Sequence, residues 1–286
     1  MKYGWINDHT GEFDVVVMCD VLGVCRSAFY AWLHEPLRKR QAYRDELAMR
    51  IAEVQRDTRG VYGSPRVTVE LNARGVRVNE KTVARCMKDR GIRAKTAKRF
   101  VPRTTDSAHP HVTADNVLDR QFDTPLPDRK WVCDITYIPT GEGWLYLAGV
   151  MDLCSRRIVG WSMADHTRAD LVSDALSMAL ARRNPGAGLL HHSDRGVQYA
   201  CGDYRAMLER HGIAASMSRR GNCYDNASME SFWGTLKTEL VNHERYATRE
   251  QARASVFEYI EVFYNRIRRH SSLGYVSPEC FEASLN

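Results

Sequence analysis

No two cysteines stand in a C-x-x-C arrangement, and the N-terminal part holds no Cys/His cluster at zinc-ligand spacing. A structural zinc centre requires such clustering, so none is expected there. The eight cysteines, Cys19, Cys25, Cys86, Cys133, Cys154, Cys201, Cys223 and Cys280, fall mostly within apolar segments. Reduced core thiols and a cytoplasmic compartment are therefore expected, rather than a disulfide framework. No apolar run is long enough to span a bilayer, so no membrane partner is expected. Lys2, Asp8, Glu12 and Asp14 interrupt the N-terminal end, which excludes a signal-peptide core. Internal repeats and low-complexity stretches are also missing, so a repeat architecture is not expected.

What is present is a chain of 286 residues, 44% hydrophobic and 27% charged, long enough for two domains, one with a full core. The formal net charge of +6 is modest but unevenly placed, which points toward a polyanionic partner. Residues from about Glu12 to Leu33 read as two short helices around Gly23, with Ser27 capping the second, a weak helix-turn-helix signal. A longer helix follows from Leu37 to Arg56, with Tyr43, Leu47, Ile51 and Val54 on its inner face. A second helical pair is better marked. Ser64-Pro65 opens one member, and Asn79 caps another over Glu80 to Arg90, stopped by Gly91. On that last helix Val83 and Met87 face inward, while Lys81, Arg85 and Lys88 line another side. Basic residues continue through Arg90, Arg93, Lys95, Lys98, Arg99 and Arg103. This clustering fits phosphate contacts from a recognition helix and a trailing arm; a solvated basic helix would read the same.

Proline and polar residues then take over, including Pro110 and Pro125, and define a linker. The expected division is a helical region over 1–105 that carries the basic cluster, a linker over 106–125 and a strand-rich unit over 126–286. Beyond the linker, Trp131 to Pro139, Trp144 to Asp152 and Arg157 to Met163 read as an antiparallel meander. Thr167-Arg-Ala-Asp170 opens a helix as a capping box. Leu189 to Ser193 forms a strand parallel to the first, and a helix and a short strand near Ala214 to Met217 follow. Thr248-Arg-Glu-Gln251 opens a last long helix ending in the basic run Asn265 to His270.

Two acids sit where charge is uncommon. Asp134 lies inside an apolar strand, and Asp194 ends another. A third, Glu230, lies on a helix beginning near Asn226. At ~100° per residue, Met229, Phe232, Trp233, Leu236 and Leu240 form its buried stripe, with Glu230 and Lys237 at the border. Glu239 falls about half a turn from Glu230. Each acid alone would read as a paired or capping residue. Together, three converging carboxylates need hard divalent cations, and Mg²⁺ takes oxygen ligands of this kind. Two Mg²⁺ ions, with Mn²⁺ able to substitute, would suit an in-line phosphoryl displacement. Lys237 would meet a DNA phosphate or stand as a solvated lysine. His191 and His192 are read as packed strand residues, and Asp152 as a turn residue.

Thirty-five residues separate Asp194 from Glu230. The Asp, Asp, thirty-five, Glu spacing resembles the signature of DDE transposases and retroviral integrases. Trp131-Val-Cys-Asp-Ile-Thr-Tyr-Ile138, His192-Ser-Asp-Arg-Gly-Val-Gln-Tyr199 and the run from Gly221 to Glu239 resemble the OrfB product of bacterial insertion-sequence transposases of family three. So do Tyr62-Gly-Ser-Pro-Arg66 and Tyr264-Asn-Arg, so the resemblance covers nearly the whole chain. It implies an RNase H-like integrase core, a mixed five-stranded sheet with flanking helices, behind a smaller helix-turn-helix region. It also implies a catalytic and metal-binding set of Asp134, Asp194 and Glu230, acting in cleavage and strand transfer at element ends. Double-stranded DNA, an OrfA partner or frameshift fusion, a homo-oligomer on DNA and a nucleoid-associated bacterial setting are implied with it. Ser228 departs from the proline expected in many relatives, which bears on how the helix starts. The competing readings are a DNA-binding regulator or inhibitor of transposition with an inactive core, and an RNase H-type nuclease.

Overall fold

The computed structural model describes residues 1–34, 37–96, 113–219 and 223–285. The side chains of Arg38, Lys39 and Arg40, together with Lys98, Arg99, Arg103, Pro110 and the start of the linker, lie outside the described residues. The chain divides into two compact units, 1–57 with 63–93, and 58–62 with 94–286. Residues 58–62 thus cluster with the second unit although they lie early in the chain. Among the described residues no single helix is long and apolar enough to cross a membrane.

The first unit is all helical: α1 (Lys2–Asp8), α2 (Val15–Val21), α3 (Arg26–His34), α4 (Leu37–Asp57), α5 (Ser64–Ala73) and α6 (Glu80–Asp89). The sequence reading did not anticipate α1, which supplies Ile6 to a small core with Met18, Cys19 and Phe29. Asp14 starts α2 by accepting from the Val16 amide at 2.7 Å. Ser27 lies inside α3 rather than capping it, and Gly63, not Ser64, occupies the cap of α5. On α4, Leu47, Ile51 and Val54 are buried as expected, but Tyr43 is exposed. Asn79 caps α6 through the Thr82 amide at 2.9 Å, and Gly91, at φ 66°, takes the left-handed turn that ends it.

The second unit is built on one five-stranded sheet: β1 (Lys130–Thr140), β2 (Gly143–Asp152), β3 (Ile158–Ala164), β4 (Leu190–Ser193) and β5 (Ala214–Met217), in the order β3-β2-β1-β4-β5. The first three strands form the antiparallel meander, and β4 and β5 run parallel to β1. Helices α7 (Ala169–Arg183), α8 (Val197–Ala200) and α9 (Gly202–Arg210) accompany the parallel half. α10 (Ala227–Glu239), α11 (Arg249–Glu258) and α12 (Pro278–Ala283) complete the unit. The sequence reading did not anticipate α8. Arg168 rather than Thr167 occupies the cap of α7 and makes no side-chain cap bond.

β2 is buried from Leu147 through Asp152 without alternation, the pattern of a strand covered on both faces. One face carries a core of Cys133, Val150, Leu171, Leu176, Tyr204 and their neighbours, beneath α7 and α9. The close seat of α7 on β3 requires Gly160, where an added Cβ would lie 2.2 Å from the Ala175 carbonyl oxygen. α10 packs against β1, and α11 against β1 and β2. Thr248 caps α11 through the Gln251 amide. The expected continuous last helix instead passes into a π-helical turn over Tyr259–Tyr264. Asp152 accepts from the Asp128 and Ser155 amides and from the Ser155 hydroxyl, a turn residue as read.

Candidate active site

The sheet register places two acids side by side. β1 and β4 pair in parallel, with Val132 opposite His192. Two residues on from that last pair stand Asp134, still within β1, and Asp194, one residue past the end of β4. Strand ends of parallel neighbours open a crevice because the chains diverge into different connections. Asp194 sits just past the last residue of β4 and accepts from the Gly196 amide at 2.9 Å.

Glu230 arrives on α10. Met229, Phe232, Trp233, Leu236 and Leu240 are all buried, the stripe that helical spacing predicts. That stripe lays α10 on the sheet, leaving Glu230 exposed beside it and Lys237 half-buried on the same edge. The helix can lie close because Gly149 stands opposite Asp134 in the β1–β2 register. A Cβ at Gly149 would come within 2.9 Å of the Trp233 ring and 3.1 Å of the Met229 methyl. At the helix start, Asn226 is buried and donates to the Cys133 carbonyl at 2.9 Å, tying α10 to the strand that carries Asp134. Arg156 donates to the Ser228 hydroxyl at 2.5 Å, so the serine that stands where proline was expected is held by a side chain.

The electrostatics show how crowded the acids are. Burial raises the Asp134 carboxyl most, Asp194 raises it next, and Glu230 adds a smaller push, bringing it to about 8. Two N–H donors oppose this: the Ile135 amide reaches Oδ1 at 2.9 Å, and the Trp233 indole reaches Oδ2 at 3.0 Å. Partial burial also lifts Glu230. Lys237 is lowered by burial and held up by Asp134, and its ammonium lies 4.9 Å from the centre of the Tyr137 ring.

Among the described residues no group of three or more His, Cys, Asp or Glu side chains is arranged so that it could hold a metal ion. The donor set nonetheless fits a divalent cation. It offers carboxylate oxygens only, and Asp194 and Glu230 disfavour the ionised form of Asp134, which a bound cation would reverse. The neighbouring histidines do not compete for that role. His191 Nε2 hydrogen-bonds Cys133 Sγ and Tyr204 Oη, each at 2.8 Å, and burial holds its pKa down to about 3. His192 bridges Ser216 and Ser218, with its pKa near 4 for the same reason.

Sequence reasoning missed three residues around these acids. Trp233 was read only as core, although a buried indole N–H needs an acceptor, and that need is a usable signal. Gly149 has no sequence signal, because its role depends on what faces it across the sheet. Asp225, in the turn before α10, carries no local signal of its role. It is fully buried and accepts from the Arg219 amide and guanidinium, from Arg120 and from Asn116. These donors, Arg219 foremost, hold its carboxyl well below the usual carboxylate range.

Lys81, Arg85 and Lys88 lie in the first unit, all exposed on α6, while Val83, Cys86 and Met87 on the other side are buried. They form a basic stripe of their own.

Comparison with known proteins gives three domain matches: an integrase core domain over 125–223, an HTH-like domain over 42–100, and a second integrase core domain description over 211–278. The chain is 45% identical to the transposase InsF for insertion sequence IS3A of Escherichia coli (strain K12), covering 99% of this chain and 98% of that one. It is 47% identical to a 31 kDa protein of insertion element IS600 from Shigella sonnei, covering 92% and 97% respectively. Among solved structures, a simian T-cell lymphotropic virus intasome matches 81% of this chain and 74% of its own at 14% identity, with a TM-score of 0.47. The HTLV-2 integrase catalytic core domain in complex with magnesium matches 56% and 99% at 13% identity, with a TM-score of 0.44.

Proposed function

The chain belongs to the IS3 family of insertion-sequence transposases, with an integrase core and an HTH-like region, and we propose that it cleaves and joins DNA at element ends through Asp134, Asp194 and Glu230. The observation that carries this is the placement of Asp134 in the middle of β1 and of Asp194 just past the end of the neighbouring β4, with Asp194 and Glu230 both close enough to raise Asp134.

In this reading the three carboxylates hold two Mg²⁺ ions, for which Mn²⁺ substitutes. Such ions, when bound, lower the pKa of the attacking water or hydroxyl and stabilise the entering and leaving oxygens. The chain's own residues supply position and charge. β1 and β4 fix Asp134 and Asp194 on neighbouring strands, and α10 carries Glu230 to the open side. Lys237, held on the same edge over Tyr137, offers a cation to a phosphate of the bound strand. The displacement at phosphorus forms one P–O bond as another breaks, so binding and alignment of the DNA make up most of the protein's task. The basic stripe of Lys81, Arg85 and Lys88 holds the duplex by its phosphates.

We assign 1–105 to DNA binding, 106–125 to a linker and 126–286 to chemistry. The protein acts on nucleoid DNA in the cytoplasm as a homo-oligomer, with an OrfA partner or as a frameshift fusion. Asp134→Asn, Asp194→Asn and Glu230→Gln each abolish strand transfer of a pre-cleaved oligonucleotide. Asp194→Asn and Glu230→Gln leave the metal-free melting temperature equal or higher, because a charge that disfavours ionised Asp134 is gone. Mg²⁺ stabilises the wild type more than any of the three. Strand transfer by Glu230→Gln at the wild-type rate would defeat the assignment.

A further inference from the structure

We propose that Trp233 is a positioning residue for the Asp134 carboxylate, aligning it for a divalent cation, and that Gly149 is the seat that admits its ring. The inference rests on the reading of Asp134 as a cation ligand and deepens it. An ionised carboxylate offers about four lone-pair sites. At Asp134 one oxygen accepts from the next backbone amide, Ile135, at 2.9 Å, and the other from the Trp233 indole at 3.0 Å. Two donors on two different oxygens fix the carboxylate plane and leave about two lone-pair sites for a cation. The indole N–H is a donor only, so it cannot serve a protonated, donating form of the acid at that oxygen.

Trp233 stands three positions after Glu230, about one turn further along the same helix. The contact that fixes Asp134 therefore also fixes the helix that presents Glu230. A purely packing role would not need the N–H. Position 149 is paired with Asp134 across β1 and β2, and any side chain there would meet the ring at 2.9 Å. Among the elements packed here, the sheet yields a side chain so that one indole reaches one carboxylate.

Trp233→Phe keeps the ring and removes the donor. The expected result is a folded protein whose Mg²⁺ requirement for strand transfer rises at least about tenfold, the lower end of the cost of losing an outer-shell partner. The rate at saturating Mg²⁺ stays close to wild type. Gly149→Ala, which displaces the ring, raises the Mg²⁺ requirement in the same direction. A readout independent of activity uses the emission of the full-length wild-type chain. Mg²⁺, or Ca²⁺ in its place, shifts tryptophan emission in the wild type but not in Asp134→Asn, and this comparison stands whether or not the Phe variant folds. A Mg²⁺ requirement within twofold of wild type in Trp233→Phe would overturn the inference. So would a silent indole in a wild type that Mg²⁺ stabilises against melting while Asp134→Asn is not stabilised; that result spares the cation reading. No thermal stabilisation of the wild type by Mg²⁺ overturns both.

Discussion

Glu230 and Glu239 share α10 but face opposite sides, since nine residues at ~100° each come to half a turn. Glu230 is exposed at the candidate site, whereas Glu239 is buried in an ion pair. Arg268 donates to both its oxygens, through Nε at 3.0 and 2.8 Å and Nη2 at 2.7 Å, and the Tyr259 hydroxyl adds a bond at 2.7 Å. The basic run from Asn265 to His270 was read as suiting a helix C-terminus, and within it Arg268 is 5% exposed. Glu239→Gln strands that guanidinium in the interior. It should cost about 3–5 kcal/mol, the usual penalty for breaking a buried pair from one side. Urea unfolding of the metal-free protein then separates the two glutamates: Glu239→Gln unfolds at markedly lower denaturant, and Glu230→Gln does not. Equal midpoints for the two variants would contradict this division of roles.

At the scale of elements, Asp225 joins three pieces of chain. It sits in the single 3₁₀ turn Cys223–Asn226 that leads into α10, and it binds Asn116 and Arg120 before β1 and Arg219 after β5. Its folded pKa is depressed, so its contribution is present above the unfolded value of about 3.9 and is lost as pH falls below that. Asp225→Asn should therefore cost on the order of 1.5–3 kcal/mol near neutral pH, the range for hydrogen bonds to a charged group. The gap to wild type should close as pH drops below about 4. A gap constant from pH 7 to pH 3, measured by denaturant unfolding, would show that Asp225 acts without its charge. The elements themselves were largely readable. The caps at Asn79 and Thr248 are side-chain caps in the structure as well. α1 and α8 escaped because helices of seven and four residues are too short to establish a period.

The whole molecule carries a formal charge of +6, with Lys81, Arg85 and Lys88 exposed along α6. If those three meet phosphates, replacing all with alanine in the full chain weakens DNA binding and lowers the steepness of log K against log salt by about 2.7, at ~0.9 per phosphate contact. An unchanged slope in a salt titration would remove α6 from the DNA interface. The sequence by itself determined most of the longer elements and the buried stripe of α10, and it singled out the acids at 134, 194 and 230 as candidates, because periodicity, capping and an isolated charge in an apolar run are local signals. Tertiary structure alone decided three other features. It set Asp134 near Asp194 by making β1 and β4 neighbours, cleared the space at Gly149 for Trp233, and turned Glu239 and Arg268 into an interior pair. Each of these joins residues distant along the chain, and local periodicity does not specify which distant partner a buried group will meet.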